Sequence, residues 1–258
     1  MSALLLLAIG THDNLYWISF LGTLVPCLCS AICCCFLPDS KTNSDNQSKE
    51  NTSGITWKQL FTRKYKKVLI CAFLMGMAQQ TTGINSVIIY ATATFQHTFS
   101  DDPDDYYSSI YGSLLISCVN FVSTIIAIPL INKLGRQWLW FGGYIVDAIA
   151  MVLFIIHYAA VNTTTLLIVA SIIFLVGFEL GPGPVFYVLC GELFPEEVRA
   201  KCSGIASTMN WIFNIIVVLI FPYFKNIEWA AYTLYLALML PAVIVLWVYT
   251  PETKGKTL

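Results

Sequence analysis

Seven stretches of the chain carry apolar residues almost without interruption: about 15–37, 68–96, 108–131, 138–160, 165–190, 203–224 and 230–250. A helix rising 1.5 Å per residue needs roughly 20 such residues to cross a hydrocarbon core. Within that core only helices and closed barrels satisfy their own backbone. The pattern therefore predicts an all-α fold, an integral membrane helical bundle of seven transmembrane helices. The run Leu4 to Ile9 is too brief to span and reads as the tail of a helix whose beginning is missing.

Composition agrees. Of 258 residues, 57% are hydrophobic and 11% charged, against about 25% charged in soluble domains. The formal net charge of -1 offers no bulk attraction to nucleic acid. Nine cysteines lie mostly in apolar runs, as in Cys33-Cys34-Cys35, without CxxC pairs or histidine partners, so no metal site or disulfide framework is expected. No serine or cysteine nucleophile sits in a recognisable catalytic pattern. No catalytic residue, metal or cofactor is assigned, and an enzyme is not expected.

The loops set the expected orientation. Lys41, Lys49, Lys58, Arg63, Lys64, Lys66 and Lys67 precede the second span. Lys133 and Arg136, Arg199 and Lys201, and Lys254 and Lys256 fall on the same side, so of 14 basic residues only Lys225 lies opposite. The opposite loop carries Asp101, Asp102, Asp104 and Asp105. Positive-inside asymmetry then places the C-terminus in the cytoplasm and the N-terminus outside. Asp39 to Thr56 reads as a flexible linker, and Trp57 to Lys67 as a basic interfacial helix on an anionic leaflet. Asn162-Thr163-Thr164 is a sequon too close to two helix ends to be expected in use.

Polar groups at mid-bilayer depth are costly and need a partner or a wet cavity. Gln79-Gln80-Thr81-Thr82-Gly83-Ile84-Asn85 places five polar side chains and a glycine in the second span. Gly83 permits a helix break of the kind that lines transport sites. Helical spacing stacks 79, 83 and 86 on one face. Two adjacent glutamines are expected to reach different neighbours. Glu179 precedes Gly181-Pro182-Gly183-Pro184, where missing donors and loosened backbone predict a kink or unwound hinge. Asn210 and Asn214 share a helix face beside Trp211. Amides donate and accept, and an indole covers the CH face of a sugar ring, so this set suits a neutral polyol. Asn120 stands alone in its helix. For each group the alternative is a polar contact between helices. Asp147 and His157 are read as structural or interfacial.

These residues resemble the sugar porter family of the major facilitator superfamily, which includes the facilitative glucose transporters. Gln79-Gln80-x-x-Gly83-Ile84-Asn85 with Tyr90 is similar to that family's seventh-helix motif. Gly181-Pro182-Gly183-Pro184, and Gly191-Glu192-Leu193-Phe194-Pro195 ending at Arg199, resemble its tenth-helix signature and the loop beyond. Asn210-Trp211 fits the eleventh helix, and Pro251-Glu252-Thr253-Lys254-Gly255-Lys256-Thr257 the tail. The resemblance covers nearly the whole chain but only the family's second half, helices 6 to 12. It divides the chain into 1–37 (end of helix 5 and helix 6), 38–67 (linker with a short interfacial helix), 68–250 (C-terminal six-helix bundle) and 251–258 (cytoplasmic tail).

The resemblance implies that Gln79, Gln80, Asn85, Asn120 and Glu179 contact a hexose. Tyr187 stands where a tryptophan is common, and Tyr90 is an outer-gate aromatic whose usual tyrosine neighbour is Ile89. Arg136, Glu192 and Arg199 are expected to form a cytoplasmic salt-bridge network. Gln137 and Asn132 replace an arginine and an acid, which thins that network. Leu37-Pro38-Asp39-Ser40 lacks the final Pro and Arg of the family's motif.

The function expected is transport of a monosaccharide, a glucose-like hexose, by alternating access in a multi-pass protein of the plasma membrane. The expected partners are the sugar, the lipid bilayer and the missing N-terminal transporter half. The alternative is a non-transporting half-transporter, a sugar sensor or a partner subunit. A seven-helix receptor is the competing class. The five motifs oppose it, as does the lack of a cysteine at 97–107.

Overall fold

The computed structural model describes residue 28 and residues 55–88, 106–224 and 227–250, with the side chains of 106–113 excepted. Two units are distinguished, Met1–Gly54 and Ile55–Leu258. In the first, only Leu28 is described, helical and exposed. The predicted span 15–37, the run Leu4 to Ile9, Tyr90, the acidic residues at 101–105 and the tail 251–258 lie outside the described residues.

The second unit is helical throughout, with no strand among its described residues. It comprises α1 (Trp57–Leu60), α2 (Lys66–Gln80), α3 (residues 84–88), α4 (Tyr106–Leu134), α5 (Arg136–Ile156), α6 (Thr164–Leu180), α7 (Pro182–Glu192), α8 (Arg199–Ile220) and α9 (Glu228–Tyr249). Among the described residues five stretches are long and apolar enough to cross a membrane: Leu114–Leu134, Arg136–Val161, Thr164–Glu192, Arg199–Phe224 and Glu228–Tyr249. The span predicted over 68–96 is not one continuous helix. It begins at Lys66, stops at Gln80, and resumes at 84.

Two breaks shape the bundle. Gly83 adopts φ +80, a left-handed conformation that glycine accepts and β-carbon-bearing residues resist. Thr81 and Thr82 turn their hydroxyls back onto the carbonyls of Ala78 (3.3 Å) and Gln79 (2.7 Å), serving acceptors at the helix end. The amide of Val87 then donates to Gly83 (3.0 Å), and helix resumes. The second break lies at Gly181, φ -121 and ψ -98, between α6 and α7, with Pro182 at the first position of α7. Proline is favoured there because that position has no intrahelical use for an amide hydrogen. Both breaks fall where glycine and proline predict them.

Small residues let the helices approach, as is usual in lipid. Gly76 of α2 lies against α8 so closely that a β-carbon would sit 2.3 Å from the carbonyl oxygen of Ala206. The core between the helices is aromatic. Trp140, Tyr144, Phe154, Phe174, Phe186 and Tyr235 are fully buried, and Phe154 stacks on Tyr232 with centroids 4.6 Å apart. Ile125, Ile128, Ile145, Ile244 and Val248 are exposed on the outside, as a surface solvated by acyl chains requires.

Asp147 is not interfacial. It is 0% exposed, and neither carboxylate oxygen has a hydrogen-bond partner among the described residues. His157 is buried too, edge-to-face with Tyr158 at 4.6 Å.

Candidate functional site

The break after α2 delivers two glutamines to one point. Gln79 and Gln80 are both buried, and both reach Asn210 of α8. Asn210 donates Nδ2 to Gln79 Oε1, and its Oδ1 accepts from Gln80 Nε2 at 3.1 Å. The expectation that adjacent glutamines must find different neighbours is therefore corrected. An amide has a donor end and an acceptor end, and Asn210 uses one for each glutamine.

Outward from this centre the network divides. Gln79 Nε2 donates to the carbonyls of Pro182 (3.1 Å) and Gly183 (3.2 Å) in the first turn of α7. Gln80 Oε1 accepts from Asn85 Nδ2 (2.7 Å) and Asn214 Nδ2 (3.3 Å). Four elements are thereby joined through side-chain amides: α2, α3, α7 and α8. Ser86 leaves the face shared by 79 and 83 in an unbroken helix. Its hydroxyl instead meets Val217 O (3.3 Å) and Tyr235 Oη (3.2 Å), because the turn at 81–83 rotates α3 relative to α2.

Glu179, in the last turn of α6, is held from α4. Asn120 Nδ2 donates to its Oε1 (2.8 Å), and Thr124 Oγ1 to its Oε2 (2.8 Å). The Thr124 hydroxyl also lies 2.9 Å from the carbonyl of Asn120, so its one proton is shared between two acceptors. Each carboxylate oxygen thus keeps a neutral donor, which orients the group toward the hollow beside it.

That hollow has a volume of about 420 Å³ and is lined by Gln79, Gln80, Asn85, Glu179, Tyr187, Asn210, Trp211 and Asn214 among others, a size within the range of small-molecule sites. Eight of the nine residues expected to bind substrate line it. Asn120 does not; it reaches the site only through Glu179. Gly183 and Pro184 of the hinge also line it, whereas Gly181 and Pro182 do not. Tyr187 and Trp211 are 62% and 64% exposed, large rings standing at the rim. Sequence reasoning missed Thr124, Phe178, Ile84 and Ile88. The signal for Thr124 was its position one turn after Asn120, on the same face.

At the far end of α7, Arg136 and Glu192 form a two-pronged ion pair, Nε to Oε2 at 3.1 Å and Nη2 to Oε1 at 3.0 Å. Arg199 donates Nε to the carbonyl of Phe194 at 3.0 Å, bracing the loop between α7 and α8. Nearby, Glu197 accepts from Tyr65 Oη (2.9 Å) and Lys64 Nζ (3.3 Å). The Tyr65 hydroxyl first, and Lys64 second, hold this carboxyl below the usual carboxylate range. Among the described residues no group of three or more His, Cys, Asp or Glu is placed to hold a metal ion.

Residues 39–258 match a family model described as Sugar (and other) transporter. Among curated proteins, the facilitated trehalose transporter Tret1 of Bombyx mori is 31% identical over 235 residues, 85% of this chain and 43% of that protein. The facilitated glucose transporter member 2 of Gallus gallus is 28% identical over 226 residues, 84% of this chain and 41% of that protein. The chain thus spans about two fifths of the length of these relatives. Among solved structures, the proton:xylose symporter XylE superposes with a TM-score of 0.65 at 26% identity, over 74% of this chain and 41% of that one. A D-xylose-proton symporter gives a TM-score of 0.68 at 25% identity, over 94% of this chain and 56% of that one.

Proposed function

The chain belongs to the sugar-transporter family, and from that premise we propose that it forms one wall of the sugar pathway in a transporter working by alternating access. The substrate is a monosaccharide, a glucose-like hexose. Residues 68–250 act as the C-terminal bundle, and a second bundle, the N-terminal half of the carrier, closes the other side of the hollow. The protein resides in the plasma membrane with the basic loops in the cytoplasm.

The observation that carries this reading is the convergence of Gln79, Gln80, Asn85, Asn210 and Asn214 with Glu179 on one hollow rimmed by Tyr187 and Trp211. A neutral sugar offers hydroxyls that donate and accept, and a ring face of C–H groups. Amides match the first and aromatic faces the second. The amides already hold one another, so little ordering cost remains when sugar binds. Gln79 ties the site to α7, and Gly181 allows α7 to swing against α6. Such a tie lets sugar at the amides bias the position of the hinge, because a ligand shifts an equilibrium only through contacts that differ between its states.

The test is sugar binding to the purified chain in lipid nanodiscs, followed by tryptophan fluorescence and calorimetry with glucose, xylose and trehalose. Saturable binding of a hexose, weakened by Gln79→Ala and by Asn214→Ala, supports the proposal. Binding of no sugar, or binding indifferent to both substitutions, overturns it.

A further inference from the structure

The segment between the first unit and α2 presents an unusual face. Trp57 and Phe61, one helical turn apart, are 55% and 71% exposed, yet the segment is not loosely attached. Thr56 and Gln59 close a capping box at the start of α1. Leu60 is fully buried and Tyr65 nearly so, as part of the main hydrophobic core. The aromatic side chains left outside are therefore held outside by a segment packed on both sides of them.

The charge on this face has one sign. Residues 55–67 contain five Lys or Arg and no acid. Lys64 is occupied by Glu197 and Tyr65. Lys58, Arg63, Lys66, Lys67 and the neighbouring Lys201 form no ion pair among the described residues. Lys201 also gives the depth. It lies in the first turn of α8, the start of a helix of membrane-crossing length, and its Nζ stands 5.5 Å from the Trp57 ring centroid. Trp57 therefore stands level with the end of a helix of membrane-crossing length, and tryptophan is enriched where such helices meet the headgroups.

We infer that this face is a docking surface for anionic phospholipid headgroups. Trp57 and Phe61 enter the boundary between headgroups and acyl chains, and Lys58, Arg63, Lys66, Lys67 and Lys201, which have no ion pair among the described residues, neutralise lipid phosphates and carboxylates. An amphipathic element of this type binds through apolar insertion and charge together. The same segment grips the loop after α7 through Tyr65 and Glu197, so lipid held here also steadies the end of the broken helix that lines the hollow. This assignment stands apart from the sugar reading and does not depend on it.

The experiment uses the full chain in nanodiscs of phosphatidylcholine, alone or with about a third phosphatidylserine, and follows amide hydrogen exchange over residues 57–67. Exchange should slow in phosphatidylserine discs by at least about fivefold, the effect of one lysine beside an anionic surface, and the slowing should fade in high salt. Replacing Lys58, Arg63, Lys66, Lys67 and Lys201 together by Gln should abolish it, whereas Lys64→Gln should leave it in place. Equal exchange in the two lipids overturns the proposal, as does protection that survives the fivefold substitution. Equal loss in Lys64→Gln overturns the residue assignment. Protection in phosphatidylcholine discs by inorganic phosphate or by polyglutamate, without a phosphatidylserine effect, would show a free anion or an acidic protein as the occupant and likewise overturn it.

Discussion

The side-chain amide of Gln79 donates to the main-chain carbonyl of Pro182 at 3.1 Å, so one helix break is tied directly to the other. The bond crosses from the end of α2 to the first residue of α7. Glycine and proline loosen both helices at these points, and the amide restores a defined relation between the loosened ends.

Gln79→Ala removes that tie, the bond to Gly183 and the acceptor for Asn210 together. A neutral hydrogen bond contributes about 0.5–1.5 kcal/mol, and partners left buried and unpaired cost more. Sugar affinity should fall by about 2 kcal/mol, roughly thirtyfold in Kd. Calorimetric titration of the variant in nanodiscs measures this.

Gly83→Ala should destabilise the bundle whatever its effect on sugar. The residue sits at φ +80, and an added β-carbon would lie 2.6 Å from the Tyr235 ring. Strain of this kind costs about 1–3 kcal/mol. The thermal midpoint in mild detergent should drop, and Tyr235→Ala should not restore it fully, because the backbone penalty remains when the ring is gone.

Asn120 acts on the site through Glu179, and Thr124, which itself lines the hollow, holds the other oxygen of the same carboxylate, so their effects should not add. Each donates 2.8 Å to a different oxygen of one carboxylate. In a double-mutant cycle, Asn120→Ala and Thr124→Val should show a coupling of about 0.5–3 kcal/mol in sugar binding. In the background of Glu179→Ala the coupling should vanish.

Glu192→Gln keeps the shape of the side chain but cancels the charge facing Arg136. Charge-assisted hydrogen bonds contribute about 1.5–3 kcal/mol, and this pair lies across the end of α7 with side chains 17% and 33% exposed. If the pair locks one end of the pathway, the outward-facing fraction should fall about tenfold or more, read by cysteine labelling from the two sides. An unchanged fraction would remove the lock from the mechanism.

Glu197 supplies a pH signature. Its carboxyl lies below the usual range because Tyr65 and then Lys64 bond its charged form. A depressed carboxylate contributes stability above its unfolded value and loses it as pH falls through the folded value. Wild type should therefore exceed Tyr65→Phe in thermal midpoint at neutral pH. The gap should close as acid titrates Glu197 below the ordinary glutamate range, and high salt should narrow it, since the group is exposed.

Much of this architecture was legible along the chain because its causes are local. Run length sets which helices can cross a bilayer. Gly83 and Gly181-Pro182 mark where a helix must fail, because φ freedom and a missing amide hydrogen act within one turn. The mid-depth amides were visible as candidates because nothing in an apolar helix requires them.

Which groups meet was settled by packing between helices distant in sequence. That Asn210 serves both glutamines, and that Asn120 holds Glu179 instead of lining the hollow, depends on the crossing of α2 with α8 and of α4 with α6. The placement of Asp147 shows the same division. Its carboxylate is plain in the sequence, but only the packed helices decide that it is sealed inside the bundle and away from the hollow. Side-chain spacing repeats along one helix, whereas contact requires two helices to come within reach, and that distance is written in neither of them alone.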